Sequence, residues 1–183
     1  AKRFIVTEAI AEQFEKLLVA KFAALKVGDP MLPDTDVGPL ATPSMLEDID
    51  HQVQECVKVG AKVLIGGQPP AERAGNFYLP TIVSQIPVDA AIAQEEFFGP
   101  VALLFRVADL DAAIQLANAT PFGLGASIWT QDATERDRAI AEIEAGSVFV
   151  NGMVKSDPRL PFGGIKHSGY GRELSIQGIH EFV

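Results

Sequence analysis

The stretch QEEFFGPVALLFRV, residues 94–107, decides the fold. Its second half, VALLFRV, is apolar throughout except at Arg106. A run of that kind, with no polar alternation, marks a parallel strand covered on both faces. Its first half sets two carboxylates against two phenylalanines and turns through Gly99-Pro100. Side chains alternate along an extended segment, which separates Glu95 from Glu96 and puts Glu96 and Phe98 on one face. A carboxylate and an aromatic ring side by side suit a ligand with adjacent hydroxyls and a flat ring, as in the ribose and base of a nucleotide. The plainer alternative is a turn at a strand edge, with solvated glutamates and a core phenylalanine.

Outward from this stretch the elements alternate. Phe4–Val6 reads as a short buried strand. A helix follows, with Thr7 placed to cap it, a stripe of Ile10, Phe14, Leu17, Leu18, Phe22 and Leu25, and Gly28 and Pro30 to stop it. Met45, Ile49, Val53, Cys56 and Val57 stripe a second helix that ends near Gly60. KVLIGG is a strand, QPPAERAGN (68–76) a surface loop and FYLPTIV extended. Beyond the opening stretch, LDAAIQLANA is a helix and GASIWT a strand. A further helix has Asp132 as its cap and Gly146 as its end. SVFVN is a strand and ELSIQGIHEF a short helix. Strand and helix in alternation predict an α/β fold with a largely parallel sheet and helices on both faces. Sites in such sheets form at the carboxyl ends of strands. The 94–100 segment and the glycine-rich loop 151–172 are read as occupying such places.

Composition narrows the function. The chain has 183 residues, 48% hydrophobic and 21% charged, in keeping with one globular domain. A net charge of −9, spread along the chain, argues against nucleic acid or an anionic membrane, both of which reward clustered Lys and Arg. No window approaches the roughly 20 apolar residues that span a bilayer. With Cys56 as the single cysteine no internal disulfide forms, and a reducing cytoplasm is the expected location.

Cys56 lies on the apolar stripe of its helix, as expected of an inert core thiol rather than a nucleophile. His51, His167 and His180 are scattered without metal-ligand spacing, and no GxSxG elbow is present. The loop NGMVKSDPRLPFGGIKHSGYGRE fails both the P-loop and the GxGxxG patterns, yet a loop of this length is usually functional.

QEEFFGPV followed some sixty residues on by PFGGIKHSGYGRE resembles the aldehyde dehydrogenase superfamily. KRFIV, VGDP, VGPL, NFYLPTIV and ANATPFGLGASIW add to the resemblance, which covers essentially the whole chain. NGMVKSDPRLPFGGIK looks most like the succinate-semialdehyde dehydrogenase branch. The resemblance implies a thiolate adding to an aldehyde, hydride transfer to NAD or NADP, and hydrolysis of the thioester by water that a glutamate activates. It implies that Glu96 binds the nicotinamide-ribose hydroxyls, that Phe98 packs beside the nicotinamide, and that Glu95 is a solvated neighbour. By the same resemblance Phe162 lines the aldehyde tunnel, and Lys155, Ser156 or Arg159 meets a substrate carboxylate. Related succinate-semialdehyde enzymes use a serine near position 155, where this chain has Lys155 with Ser156 next.

The family's GQxC nucleophile, its ELGG glutamate, the oxyanion-hole asparagine and the dinucleotide-binding domain have no counterpart in these residues. Residues 1–183 are accordingly expected to be a catalytic-domain fragment, inactive alone, of a homodimeric or homotetrameric enzyme acting on a small aldehyde. The rival expectation is a non-catalytic binding or assembly module that retains the fold.

Overall fold

The computed structural model describes residues 2–71 and 74–183, so Ala1 and two residues of the expected loop 68–76 lie outside the described residues. The chain divides into two compact units, Ala1–Asp109 and Leu110–Val183.

The first unit holds β1 (Arg3–Thr7), α1 (Glu8–Ala23), α2 (Pro43–Lys58), β2 (Lys62–Ile65), β3 (Thr81–Ser84), a 3₁₀ turn (Ala91–Gln94) and β4 (Val101–Val107). Its sheet runs β1-β4-β3-β2, with β4 parallel to both β1 and β3 and only the edge strand β2 antiparallel. The apolar run therefore lies inside the sheet. Six of its seven side chains are buried, Arg106 alone being exposed, so both faces of the strand are covered. On one face Ala102 and Leu104 join Val6, Ile82 and Ala11, with Phe14, Leu18, Val19 and Phe22 of α1 packed against them.

The face that α1 buries is narrower than its apolar sequence. Ile10 and Leu17 are more than half exposed, and Leu25 lies beyond the helix. They sit about 100° around the axis from Ala11 and Leu18, and one sheet face accommodates only one stripe. The helix closes at Ala23, before Gly28, and Thr7 occupies the N-cap position without a side-chain cap bond. On α2 Ile49, Val53 and Cys56 are buried as expected, whereas Met45 is half-buried and Val57, one residue round from Cys56, is exposed; the Thr42 hydroxyl accepts from Met45 N at the helix start. The hydroxyl of the buried Tyr78 donates to Asp50 Oδ1 at 3.1 Å, which ties α2 to the extended chain before β3.

The second unit contains α3 (Leu110–Asn118), β5 (Phe122–Gly123), β6 (Ala126–Ile128), α4 (Ala133–Glu142), β7 (Val148–Val150), β8 (Ile165–Lys166) and α5 (Ser175–His180). β6 and β7 pair in parallel, and β5 and β8 antiparallel. Asp132 caps α4 as expected, accepting from the amides of Thr134 and Glu135. Gly146 does not end α4, which stops at Glu142. Gly146 is needed instead for close approach, since a Cβ there would lie 1.8 Å from the Gly163 carbonyl oxygen.

Candidate functional site

The corner that carries Glu96 and Phe98 lies at the amino ends of β1 and β4. Strand register pairs Arg3 with Leu103, and the Lys2 ammonium donates to the Gly99 carbonyl at 2.9 Å. That corrects the expectation of a carboxyl-end location for this segment: a corner leading into a parallel strand necessarily sits at its amino end.

Alternation holds from Glu96 to Phe98 but does not separate Glu95, which is exposed and lines the same cleft as Glu96 and Phe98. Phe97 is fully buried and anchors the segment, while Phe98 is 64% exposed and Glu96 is exposed on the same side. Among the described residues no donor bonds the Glu96 carboxylate. Lys2 lies over the Phe98 ring at 5.8 Å, and burial lowers its pKa while the nearby Glu96 charge raises it. Gly99 permits the corner to touch α2, because a Cβ there would come within 2.9 Å of Ile49 Cγ1. Beside this corner opens a cleft of about 410 Å³, lined by Asp48, His51 and Gln52 of α2 together with Glu95, Glu96 and Phe98.

Glu95 is more than a solvated neighbour. Its carboxylate is exposed but accepts from Gln52 Nε2 at 2.9 Å, and the same nitrogen donates to the Glu96 carbonyl at 3.2 Å. Gln52 belongs to no motif, Lys2 opens the KRFIV segment without a role assigned to it, and their contacts span 43 and 97 residues. Only strand order and helix placement, which spacing does not disclose, bring them here.

The other candidates belong to the second unit, on the loop that leaves the carboxyl end of β7. Asn151 opens it with φ of 50°, its side chain donating to Thr130 O and accepting from Thr130 N. Lys155 and Ser156 are exposed on this loop. Arg159 is exposed too, but its guanidinium is bonded twice to Asp157, at 2.9 and 2.7 Å, which holds the Asp157 carboxyl well below the usual range. A ligand carboxylate at Arg159 would have to share that cation with Asp157. Phe162 is half-buried, and its backbone bridges Glu173 through two 2.8 Å hydrogen bonds. Lys155 and Ser156 thus precede, on the same loop, the turn that carries Arg159, while Glu96 and Phe98 belong to the other unit.

Cys56 is fully buried, and burial with the Glu95 and Glu55 charges pushes its thiol up to about 11. A thiol so placed is mostly protonated at neutral pH and inaccessible to a carbonyl carbon. Among the described residues no group of three metal-ligating side chains occurs, and no helix is long and apolar enough to cross a membrane.

The fold, a largely parallel sheet flanked by helices, recurs in solved aldehyde dehydrogenases. Aldehyde dehydrogenase 21 of Physcomitrella patens, solved with the reaction product succinate, superposes with a TM-score of 0.91 at 33% identity, over 98% of this chain and 37% of that one. Betaine aldehyde dehydrogenase of Staphylococcus aureus, solved with NAD+, gives 0.94 at 30% identity, over 99% of this chain and 37% of that one. Residues 1–183 match the aldehyde dehydrogenase family, and the chain belongs to it. It is 55% identical over 183 residues to a probable NADP+-dependent succinate-semialdehyde dehydrogenase of Synechocystis sp.. It is 53% identical over 182 residues to succinate-semialdehyde dehydrogenase [NADP(+)] 1 of Mycobacterium tuberculosis. All of this chain is matched in both, and it spans about 40% of the length of each relative.

Proposed function

We propose that these residues are the catalytic-domain portion of an NAD(P)+-dependent aldehyde dehydrogenase of the succinate-semialdehyde type. The observation that carries this reading is the pairing of an exposed Glu96 carboxylate with the exposed Phe98 ring at the mouth of a cleft, above a fully buried Phe97. The residues fit a nicotinamide nucleotide. A carboxylate with no donor of its own is free to accept from two ribose hydroxyls, and an open aromatic face suits the nicotinamide ring. When bound, the cofactor supplies a hydride acceptor.

Each residue then has a task. Glu96 holds the nicotinamide ribose, Phe98 restrains the ring, and Gly99-Pro100 sets the corner that presents both. Phe162 lines the aldehyde channel, and Lys155, Ser156 or Arg159 meets the distal carboxylate of the substrate. Asp157 already neutralises Arg159, which favours Lys155 and Ser156 as the groups left open to that carboxylate. The buried, high-pKa Cys56 is unsuited to attack, so the thiolate that forms the thioester comes from elsewhere in the full-length protein. So do the general-base glutamate and the dinucleotide-binding domain, and residues 1–183 alone are inactive. Cys56, free in a chain without a disulfide, supports a cytoplasmic enzyme. Open apolar side chains such as Tyr170 and Phe182, 100% and 88% exposed, support a homodimer or homotetramer.

The test is aldehyde-dependent reduction of NADP+ and NAD+ by the full-length protein, with succinate semialdehyde and an uncharged aldehyde of equal length compared. Turnover that favours the carboxylate-bearing substrate is the expected result. No aldehyde-dependent reduction of either cofactor sinks the proposal.

A further inference from the structure

Between the 3₁₀ turn and β4, residues 95–100 belong to no strand or helix, yet they must hold Glu96 at a fixed angle. Backbone bonds fix the segment's two ends and the Phe97–Gly99 turn, while the Glu96 and Gly99 carbonyls are held by side chains. Lys2 grips the far end through the Gly99 carbonyl. Gln52 grips the near end, one amide N–H going to Glu95 Oε2 and the other to the Glu96 carbonyl. The direction in which a side chain leaves the chain follows from the peptides on either side of it, so holding the Glu96 carbonyl restrains the side of the segment on which the Glu96 carboxylate lies.

We propose that Gln52 is a positioning residue for cofactor binding, which locks the Glu95–Glu96 segment so that Glu96 faces the ribose hydroxyls. The inference rests on the reading of Glu96 given above. Glu95 acquires a role here as well: it anchors Gln52, leaving the second N–H of the amide for the Glu96 carbonyl. A neutral amide suits the position. A cation at 52 would draw the Glu96 carboxylate onto itself and compete with the ribose hydroxyls, while an anion would repel Glu95. Gln52 lines the same cleft, so its own amide lies beside the bound nucleotide without supplying charge.

The experiment is calorimetric titration of NADP+ and NAD+ into the full-length protein without aldehyde, for wild type, Gln52→Met, Glu96→Ala and the double variant. Methionine keeps the reach and volume of glutamine and removes its amide, whose Nε2 makes both bonds, and circular dichroism melting checks that the fold persists. Gln52→Met is expected to weaken cofactor binding roughly fivefold, the worth of one to two ordinary hydrogen bonds. In the Glu96→Ala background the same change should add nothing, because there is no longer a carboxylate to aim. An equal loss in both backgrounds shows a merely structural role and overturns the inference. So does Gln52→Met affinity within about twofold of wild type beside a weakened Glu96→Ala, which leaves the Glu96 reading standing. If Glu96→Ala itself binds like wild type, that reading falls and the inference falls with it.

Discussion

Phe97 and Phe98 are chemically identical neighbours that the structure assigns opposite work, and replacing each by alanine separates stability from function. Phe97 is fully buried, whereas Phe98 is 64% exposed. Removing a fully buried phenylalanine forfeits its transfer free energy and leaves a cavity, at a cost of about 3–5 kcal/mol. That is a large part of the ~5–15 kcal/mol that holds a domain folded. With a urea slope of ~2 kcal/mol/M, the unfolding midpoint of Phe97→Ala should fall by roughly 1.5–2.5 M. Phe98→Ala loses the Lys2 contact and little else, so its cost stays below about 1 kcal/mol. Urea titration followed by circular dichroism reads both variants. A Phe97→Ala midpoint near wild type, or equal losses for the two variants, would refute the assignment of Phe97 as the anchor of the corner.

Other perturbations test neighbouring parts of the argument. Gly99→Ala should cost about 1–3 kcal/mol by pressing a methyl group on Ile49, and Ile49→Val should recover part of it; urea midpoints measure the recovery. Folded Cys56 keeps its proton up to about pH 11 against an ordinary value of 9.0, so the unfolded state binds fewer protons between those values. Stability should therefore fall as pH rises through that window, and Cys56→Ala should flatten the fall in urea midpoints measured across it. Asn151→Ala removes both side-chain bonds to Thr130 at a position with φ of 50°; faster hydrogen exchange at the Thr130 amide is expected, and unchanged protection would count against the clip.

What the sequence disclosed followed from local chemistry. The apolar run 101–107 announced a covered parallel strand, and β4 is one because nothing polar in it asks for water. Asp132 announced a cap for the same reason, its side chain being short enough to reach its own helix. Alternation placed Glu96 and Phe98 together with no knowledge of the fold. Where the reading failed, the deciding partner was remote. Gly146 looked like a helix end but answers to the Gly163 backbone, which passes against it. Ile10 and Leu17 looked like core but lose their place to a sheet face that admits only one stripe. The corner 94–100 looked like a carboxyl-end loop until strand direction put it at the amino ends of β1 and β4. Gln52 and Lys2 were illegible for the same reason, since the oxygens they serve are 43 to 97 residues away.

If Glu96 serves the cofactor of an aldehyde dehydrogenase, the hydride-transfer step depends on it. A rapid-mixing single turnover of the full-length protein with succinate semialdehyde at saturating NADP+, wild type beside Glu96→Ala, measures that step. Hydride transfer is expected in the wild type and a markedly slower step in the variant, because a loosened ribose lets the ring wander from the reacting carbon. Equal rates in the two proteins, or no aldehyde-dependent transfer in either, would contradict that role for Glu96.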